Sequence, residues 1–137
     1  MIFVDTSALY AVLDRSDENH QAAKGQWNDL LQGDEALLVS NYIVVETAAL
    51  VQSRLGMDAL RGLCDEVLPV FTIHWVTEAE HTQSTHALLS ANRRQLSLVD
   101  CSSFQVMRQR GSRTAFAFDP HFEEQGFEMR PISRRRR

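Results

Sequence analysis

Short apolar runs alternate with amphipathic stretches along most of this chain. The apolar runs are rich in β-branched and aromatic residues, which is typical of buried strands; they are IFV at 2–4, ALLV at 36–39, VFTIHWV at 70–76, TAFAF at 114–118 and a last run at about 127–130. Between them, apolar residues recur at helical spacing over about 6–14, 20–32, 41–55, 57–67, 77–92 and 100–109, with one further turn of helix from 120. Strands that alternate with helices predict a short, mostly parallel sheet with helices on both faces, which is a three-layer α/β/α fold.

Residues with helix-capping or helix-ending chemistry stand at several of these boundaries. Ser40 is placed to cap the helix that begins at Asn41, and Gly56 is placed to end it. Thr77 precedes the next long helix, and Gly111 follows the one after. Local chemistry and apolar periodicity therefore predict the same elements.

Length and composition are those of one ordinary globular domain. Of the 137 residues, 44% are hydrophobic and 23% are charged, which is enough to bury a sizeable core. We expect a single domain over residues 1–132 and a basic, disordered tail over 133–137. No apolar stretch is long enough to cross a membrane, and no basic segment precedes an apolar one at the N-terminus. We therefore expect a cytoplasmic protein that does not bind membranes.

Charge is distributed unevenly along the chain. The net charge is −4, but residues 1–92 carry 4 basic and 13 acidic side chains, whereas residues 93–137 carry 10 basic and 5 acidic ones. Every basic residue of the second part is an arginine. Such asymmetry is compatible with nucleic-acid contact and equally with a solvated basic edge and tail.

Four acidic residues interrupt apolar surroundings. Asp5 follows MIFV, Asp119 follows TAFAF, and Asp100 follows SLV, so each is expected to end a strand-like run. Glu46 is the only charged residue in the helical stretch NYIVVETAALV. A buried carboxylate is costly unless it is paired, protonated or bound to a metal ion. Because ligands bind at the carboxyl ends of parallel strands, we expect the four carboxylates to meet in one crevice and to hold a cation.

Each of these residues also has a purely structural explanation. Aspartate is a favoured helix cap, and all three aspartates precede a helical stretch. Glu46 has an alternative of its own, as a buried side chain that is hydrogen-bonded to Tyr42 or Thr47.

Polar side chains stand two residues after each of the three aspartates. They are Ser7, Ser102 and His121. The two hydroxyls are placed either to orient the carboxylates or a bound water, or to serve the first turn of a helix. All five histidines are expected to be structural or at the surface, and His121, which closely follows Asp119, is the one to watch.

Several other kinds of site are disfavoured. The histidines lack zinc-like partners, and His81 and His86 are five residues apart rather than four. The glycines are scattered, and the single lysine, Lys24, lies in a polar helix, which argues against a P-loop NTPase. Cys64 and Cys101 have no redox or metal-type spacing and are expected to be reduced thiols in or near the core.

On these motifs the chain resembles the PIN-domain ribonucleases, and within them the VapC-type toxins of bacterial toxin–antitoxin pairs. The motifs are VDTSAL with Asp5, VVET with Glu46, SLVDCSSF with Asp100 and FAFDPHFEEQGF with Asp119. The resemblance covers nearly the whole chain and fills all four acidic positions of the family in order. It implies a PIN-like α/β/α fold, a homodimer, cleavage of RNA with Mg²⁺ or Mn²⁺, and neutralisation by a small cognate antitoxin.

We therefore expect a metal-dependent endoribonuclease toxin that hydrolyses RNA phosphodiester bonds through a metal-activated water held by four carboxylates. Oxygen ligands of this kind suit hard cations such as Mg²⁺ and Mn²⁺. Asp5 and Asp100 are expected to be the direct ligands, with Glu46 and Asp119 completing the site directly or through water. The hydroxyls of Ser7 and Ser102 would orient them.

Arginines are the candidates for holding RNA beside such a site. The RNA backbone is anionic, so cations outside an acidic pocket are needed to bind the flanking phosphates. The candidates bracket Asp100 along the chain; they are Arg93, Arg94, Arg108, Arg110 and Arg113.

Two other functions remain open on the sequence. A catalytically silent PIN-like module would bind RNA or a partner protein without cutting, and loss of an acidic position would favour it. A phosphoryl-transfer domain with a phosphorylated aspartate would need a lysine near the pocket, and Lys24 is poorly placed for that role.

Overall fold

A computed structural model describes residues 1–132 of the chain. The described residues form five strands, which are β1 Ile2–Val4, β2 Leu37–Ser40, β3 Thr72–His74, β4 Thr114–Phe116 and β5 Glu128–Arg130. They also form seven α-helices, which are α1 Thr6–Leu13, α2 His20–Gln32, α3 Asn41–Leu55, α4 Met57–Gly62, α5 Glu78–Ala91, α6 Leu98–Arg110 and α7 His121–Glu124. The order of elements is the predicted one, and the basic tail expected at 133–137 lies outside the described residues.

All neighbouring strands of the sheet run parallel, in the order β3-β2-β1-β4-β5. The central strand β1 pairs with β4 so that Val4 lies opposite Phe116. The N–H of Asp5 donates to the Phe116 carbonyl at 3.0 Å. The three-layer α/β/α fold is therefore confirmed. The carboxyl ends of the neighbouring strands β1 and β4 lie side by side.

The core fixes this edge by packing β1 against α6 and α7. Ile2, Phe3 and Val4 are fully buried. Phe122 of α7 lies 5.2 Å from Phe104 of α6 and 6.2 Å from Phe3, measured between ring centroids. Burying a side chain of this size contributes about 1.5–3 kcal/mol, so the elements that follow β1 and β4 are held firmly in place.

The segment between α3 and β3 is less regular than predicted. The helix expected over 57–67 continues from α4 into a π-helical turn, Leu63–Val67, and a short 3₁₀ helix, Leu68–Val70. Cys64 lies in the π-helical turn and is exposed, so its expected position in or near the core is wrong, whereas Cys101 is buried. The strand expected over 70–76 is also shorter, because Val76 donates its N–H to the Asn41 side chain at 2.7 Å rather than to a strand.

Among residues 1–132, none of the helices combines the length and the apolar character that a membrane-spanning helix needs.

Candidate active site

Asp5 ends β1 and caps α1. Its Oδ2 accepts hydrogen bonds from the Ser7 N–H at 3.2 Å and from the Ser7 hydroxyl at 2.6 Å. The same hydroxyl accepts the Phe118 N–H at 3.0 Å, which joins the end of β1 to the segment after β4. Asp5 is only 5% exposed. Ser7 therefore holds one oxygen of a buried carboxylate in a fixed position.

Asp119 follows β4 after two residues. Its Oδ1 accepts the His121 N–H at 2.9 Å. The His121 ring donates its Nε2–H to the Gln95 carbonyl at 3.2 Å, and the same nitrogen lies 3.9 Å from Asp119 Oδ1. Asp119 is thus tied to the first turn of α7 and, through His121, to the loop before α6.

Asp100 reaches the site in a different way from the predicted one. The run SLV is not strand-like, because Ser97 caps α6 and Leu98 begins it. Asp100 is one turn into this helix, where its Oδ2 accepts the Ser97 N–H at 3.0 Å while the Ser97 hydroxyl accepts the Asp100 N–H at 3.0 Å. This reciprocal capping box fixes the carboxylate, which is 8% exposed.

Two of the three aspartates, Asp100 and Asp119, converge with His121, whereas Asp5 is outside this group and is affected by their charges. Asp100, Asp119 and His121 each offer one ligand atom, and these atoms lie within 4.8 Å of one another. Burial raises the pKa of Asp5 to about 7; its two hydrogen bonds from Ser7 oppose this shift, and the charges of Asp100 and Asp119 add to it. Burial also raises the pKa of Asp100, with a further contribution from Asp119. Like charges are therefore gathered in a site of low polarity.

His121 is the one basic side chain of residues 1–132 that lies against this cluster, and its charge when protonated lowers the pKa of Asp100. Each aspartate has one oxygen held by a local hydrogen bond, while its second oxygen accepts none. No lysine or arginine of residues 1–132 forms an ion pair with Asp5, Asp100 or Asp119. The expected capping role is therefore confirmed for Asp5, whereas Ser97 caps α6 and Pro120 precedes α7. One oxygen of each carboxylate serves the fold, and the expected role of the other in binding a cation stays a prediction.

Glu46 does not belong to the group of ligand atoms that Asp100, Asp119 and His121 form. It is half-buried on α3 and, within residues 1–132, makes no hydrogen bond or ion pair. Neither structural alternative for it is observed, because the Tyr42 hydroxyl contacts His81 and the Thr47 hydroxyl donates to Thr6 at 3.0 Å. The Thr47–Thr6 bond brings α3 against the residue next to Asp5.

Ser102 is the least explained of the predicted residues. It is 1% exposed, and its hydroxyl has no hydrogen-bond partner in the described part of the chain. A buried hydroxyl without a partner is unusual in a folded protein. Its expected role in orienting Asp100 remains a prediction.

Arg108 and Arg110 are two of the three candidate arginines that make contacts within the fold, the third being Arg93. Arg108 donates to the Gln125 side chain at 2.9 Å and lies over the Phe127 ring, 5.1 Å from its centroid. Arg110 donates its Nε–H to Nδ1 of His74 at 3.0 Å. These guanidinium groups already have partners, which favours a structural role for both.

The loop before α6 presents the arginines that are nearest to the acidic cluster. Arg93 forms an ion pair with Glu124 at 3.0 Å, which ties this loop to α7. Arg94 and Arg113 are exposed, and their side chains make no hydrogen bond or ion pair within residues 1–132. Of these two unpaired arginines, only Arg94 belongs to the loop that contacts His121, so we expect it to be the better placed to meet a phosphate beside the cluster.

His121 is the site residue that sequence reasoning missed. Its position two residues after Asp119 was the available signal, but the same spacing is common in the first turn of a helix. The contact that places its ring in the cluster is with Gln95, 26 residues away, and no local pattern predicts such a contact.

Comparison with known proteins identifies the family. Residues 2–128 match the PIN domain. The 23S rRNA-specific endonuclease VapC20 of Mycobacterium tuberculosis is 35% identical over 133 residues, which cover 96% of this chain and 99% of VapC20. Ribonuclease VapC26 of the same organism is 28% identical over 133 residues, covering 96% of this chain and 93% of VapC26.

Solved structures agree with this assignment. The crystal structure of M. tuberculosis VapC20, described as a sarcin-ricin loop cleaving toxin, superposes with a TM-score of 0.82 at 33% identity and covers 93% of this chain and 96% of its own. FitAcB from Neisseria gonorrhoeae shares the fold, with a TM-score of 0.69 at 18% identity over 94% of this chain and 96% of its own. The chain belongs to the PIN-domain family, and its VapC relatives support a nuclease activity.

Proposed function

Because this chain is a PIN-domain protein with VapC-type relatives, we propose that it is a metal-dependent endoribonuclease toxin that acts in the cytoplasm. One observation supports the proposal most strongly. Asp100 and Asp119 converge with His121, and their charges act on the buried Asp5 at the end of β1. Each aspartate has one oxygen that accepts no hydrogen bond, and no lysine or arginine of residues 1–132 pairs with them. A fold that serves only to bind a partner has no need to gather uncompensated charge in this way.

The residues present fit a divalent cation. Asp5, Asp100 and Asp119 supply carboxylate oxygens, which suit Mg²⁺ or Mn²⁺, and Glu46 would complete the site directly or through water. A bound divalent ion would supply two things here, a lowered pKa for an attacking water and neutralisation of the charge that develops on the phosphate.

The chain's own residues orient the groups that surround the reacting phosphate. Ser7 holds Asp5 through its hydroxyl and N–H, while the N–H groups of Ser97 and His121 hold Asp100 and Asp119. Each carboxylate therefore keeps its direction when RNA binds, so little reorganisation is needed at the moment of reaction. The guanidinium of Arg94 is the cation we assign to the flanking RNA phosphate.

Two partners other than RNA belong to the same proposal. The first is a second copy of this chain, as a homodimer. The second is a small antitoxin that inserts a basic side chain, an arginine, among the aspartates, where a planar guanidinium can pair with carboxylate oxygens that accept no hydrogen bond. Light scattering at micromolar concentration should show a dimer. Purification from the native host should recover the small partner, and an arginine-to-alanine change in it should release the toxin.

The test of the activity is cleavage of RNA by chelator-treated protein, with and without added Mg²⁺ or Mn²⁺. Cleavage should require the added ion and should be lost in Asp100→Asn. Ser90→Ala, on the exposed face of α5, is the control and should cut like wild type. Full cleavage in the presence of chelator would contradict the metal requirement. RNA binding without cleavage under every condition would instead identify the silent binding module.

A further inference from the structure

A cavity beside the acidic cluster has no part in the proposed metal site. A concave cavity of about 700 Å³ opens between α5 and α6. Its floor is apolar and includes Leu96, Cys101 and Phe104, all of which are buried. This volume is within the range of small-molecule binding clefts, about 300–1,000 Å³.

The rim of the cavity is made of amide side chains held in fixed positions. The Ser84 hydroxyl donates to Oε1 of Gln105 at 2.6 Å, and the Gln105 amide donates to Oε1 of Gln83. Arg108 donates to Oε1 of Gln125 at 2.9 Å. The carbonyl oxygens of Gln83 and Gln125 are thus occupied, while their NH₂ groups donate to nothing within residues 1–132. The rim therefore presents hydrogen-bond donors.

The charge around the cavity has one sign. None of its lining residues is acidic, although the chain has 18 acidic residues, and Arg108 contributes a cation. Donors and a cation around an apolar floor fit a ligand that has a flat apolar body and several acceptor atoms. A nucleobase has this chemistry, since Gln and Arg side chains donate to base edges.

The position of the cavity connects it to the candidate active site. Cys101 on its floor directly follows Asp100, and burial together with the Asp100 charge raises the pKa of its thiol. Leu96 lines both this cavity and a smaller hollow of about 360 Å³ that also includes Arg93 and Arg94. The cavity therefore adjoins the acidic cluster through Asp100 and Cys101, and adjoins the loop that carries Arg93 and Arg94 through Leu96.

We propose that the cavity between α5 and α6 receives one unstacked base of the RNA substrate, whose phosphates pass along Arg93 and Arg94 to the acidic cluster. This role rests on the proposed nuclease function and adds the element that selects the RNA. Single-stranded RNA is recognised by bases that leave the stack, contact aromatic side chains and bond through their edges. The apolar floor, of which the buried Phe104 is one part, and the amide rim supply those two contacts.

The test fills the cavity from its exposed wall. Ala87 lines the cavity and is exposed on α5, so Ala87→Trp should occupy the space without disturbing the core. Ala22→Trp, at an exposed position on α2 away from the cavity, is the matched control. Gln83→Ala removes rim donors from an exposed side chain and is a milder second variant.

Affinity is measured for an RNA hairpin with a single-stranded loop, on protein that also carries Asp100→Asn so that the RNA stays intact. Ala87→Trp should weaken binding about ten-fold or more, the size expected for losing one base contact, and Gln83→Ala should weaken it less. Replacing one loop nucleotide by an abasic one should weaken wild-type binding similarly and should add nothing in Ala87→Trp, since both changes remove the same contact. Ala22→Trp should bind like the parent.

Two outcomes would overturn this role while leaving the nuclease proposal intact. One is unchanged affinity in both Ala87→Trp and Gln83→Ala, with every abasic position weakening all variants alike. The other is a loss of dimer in Ala87→Trp, seen by sedimentation, which would make the cavity a contact between copies. If wild-type protein cuts no RNA in any metal, the nuclease proposal itself fails, and it fails independently of these variants.

Discussion

Two buried polar clusters of this molecule are built from similar residues and differ in their charge balance. In the first, Glu80 bonds His74 at 3.0 Å and accepts the Thr77 N–H at 2.8 Å, while Arg110 donates to the other nitrogen of His74. Burial alone would raise the pKa of Glu80, but these hydrogen bonds outweigh it and the net pKa is lowered. In the second cluster, Asp5 lies near two more carboxylates and its pKa rises to about 7.

This difference in pKa distinguishes a carboxylate that stabilises the fold from carboxylates that can bind a ligand. Glu80 is 8% exposed and Asp5 is 5% exposed, so both side chains have little contact with solvent. Asp5 lies deeper in the protein, so burial raises its pKa more than that of Glu80. In the Glu80 cluster, His74 and Arg110 balance the charge of the carboxylate, so no ligand is needed. The Asp5 cluster has no lysine or arginine partner among residues 1–132, so a proton or a cation from outside would stabilise it, as expected of a binding site.

Replacing a carboxylate by its amide should have the largest effect, and the effect should differ between the two clusters: loss of cleavage in one and loss of stability in the other. Asp5→Asn or Asp100→Asn should lower RNA cleavage about a hundred- to a thousand-fold, the range seen when one group that stabilises the reacting charge is removed. Neither change should destabilise the metal-free protein, because each relieves charge repulsion. Cleavage rates and urea unfolding measure the two effects.

Glu80→Gln is the matched exchange in the other cluster. It should destabilise the protein by about 1–3 kcal/mol, because His74 and Arg110 lose the charge that balances them. The folded fraction should cut RNA at the wild-type rate. A loss of cleavage in Glu80→Gln with unchanged stability would reverse the assignment of the two clusters.

The pH dependence of stability should have opposite signs in the two clusters. In metal-free protein, the pKa of Asp5 rises from 3.8 to about 7 on folding. Between these values the folded state keeps a proton that the unfolded state has released, so the free energy of unfolding falls as pH rises, by about 1.4 kcal/mol per unit. For Glu80, whose pKa is lowered, stability is present above the usual carboxyl range and is lost as pH falls.

Urea unfolding across pH 4 to 8 tests this contrast. The decline in stability toward neutral pH should be absent in Asp5→Asn and should persist in Glu80→Gln. A wild-type protein that gains stability from pH 4 to 7 without metal would show that the Asp5 carboxylate is compensated after all.

The smallest expected effect concerns the arginines. Arg94→Ala should lower the slope of log affinity for RNA against log salt by about one unit, because one phosphate contact is lost. Arg110→Ala should leave the slope unchanged and lower stability, because Arg110 bonds His74. Equal slope changes in the two variants would place both arginines on the RNA path.

Much of the fold was predictable because its signals are local. Ser40, Gly56 and Thr77 mark helix ends in the sequence, and the structure places the ends of α3 and the start of α5 beside them. Asp5 and Asp119 were predicted to follow strands, and they do. Order of elements then brings them to one edge of the sheet, since every strand runs in the same direction.

The errors arose where two local patterns overlap or where a contact is long-range. The run SLV before Asp100 has the apolar character of a strand, yet Ser97 and Asp100 also have the spacing of a capping box, and the capping box is the one that forms. Arg108 bonds Gln125, the residue after α7, and Arg110 bonds His74 of β3. No sequence spacing shows that these arginines are engaged, so they were grouped with Arg94.

The central claim is that the Asp5 cluster is a cation site and the Glu80 cluster is not, and its most direct test is the melting temperature of the protein with added Mn²⁺. Wild type and Glu80→Gln should both gain stability, by about 2.7 kcal/mol when the ion is at a hundred times its dissociation constant. The Asp5→Asn/Asp119→Asn double variant should gain none. An equal increase in the double variant, or no increase in wild type, would contradict the claim.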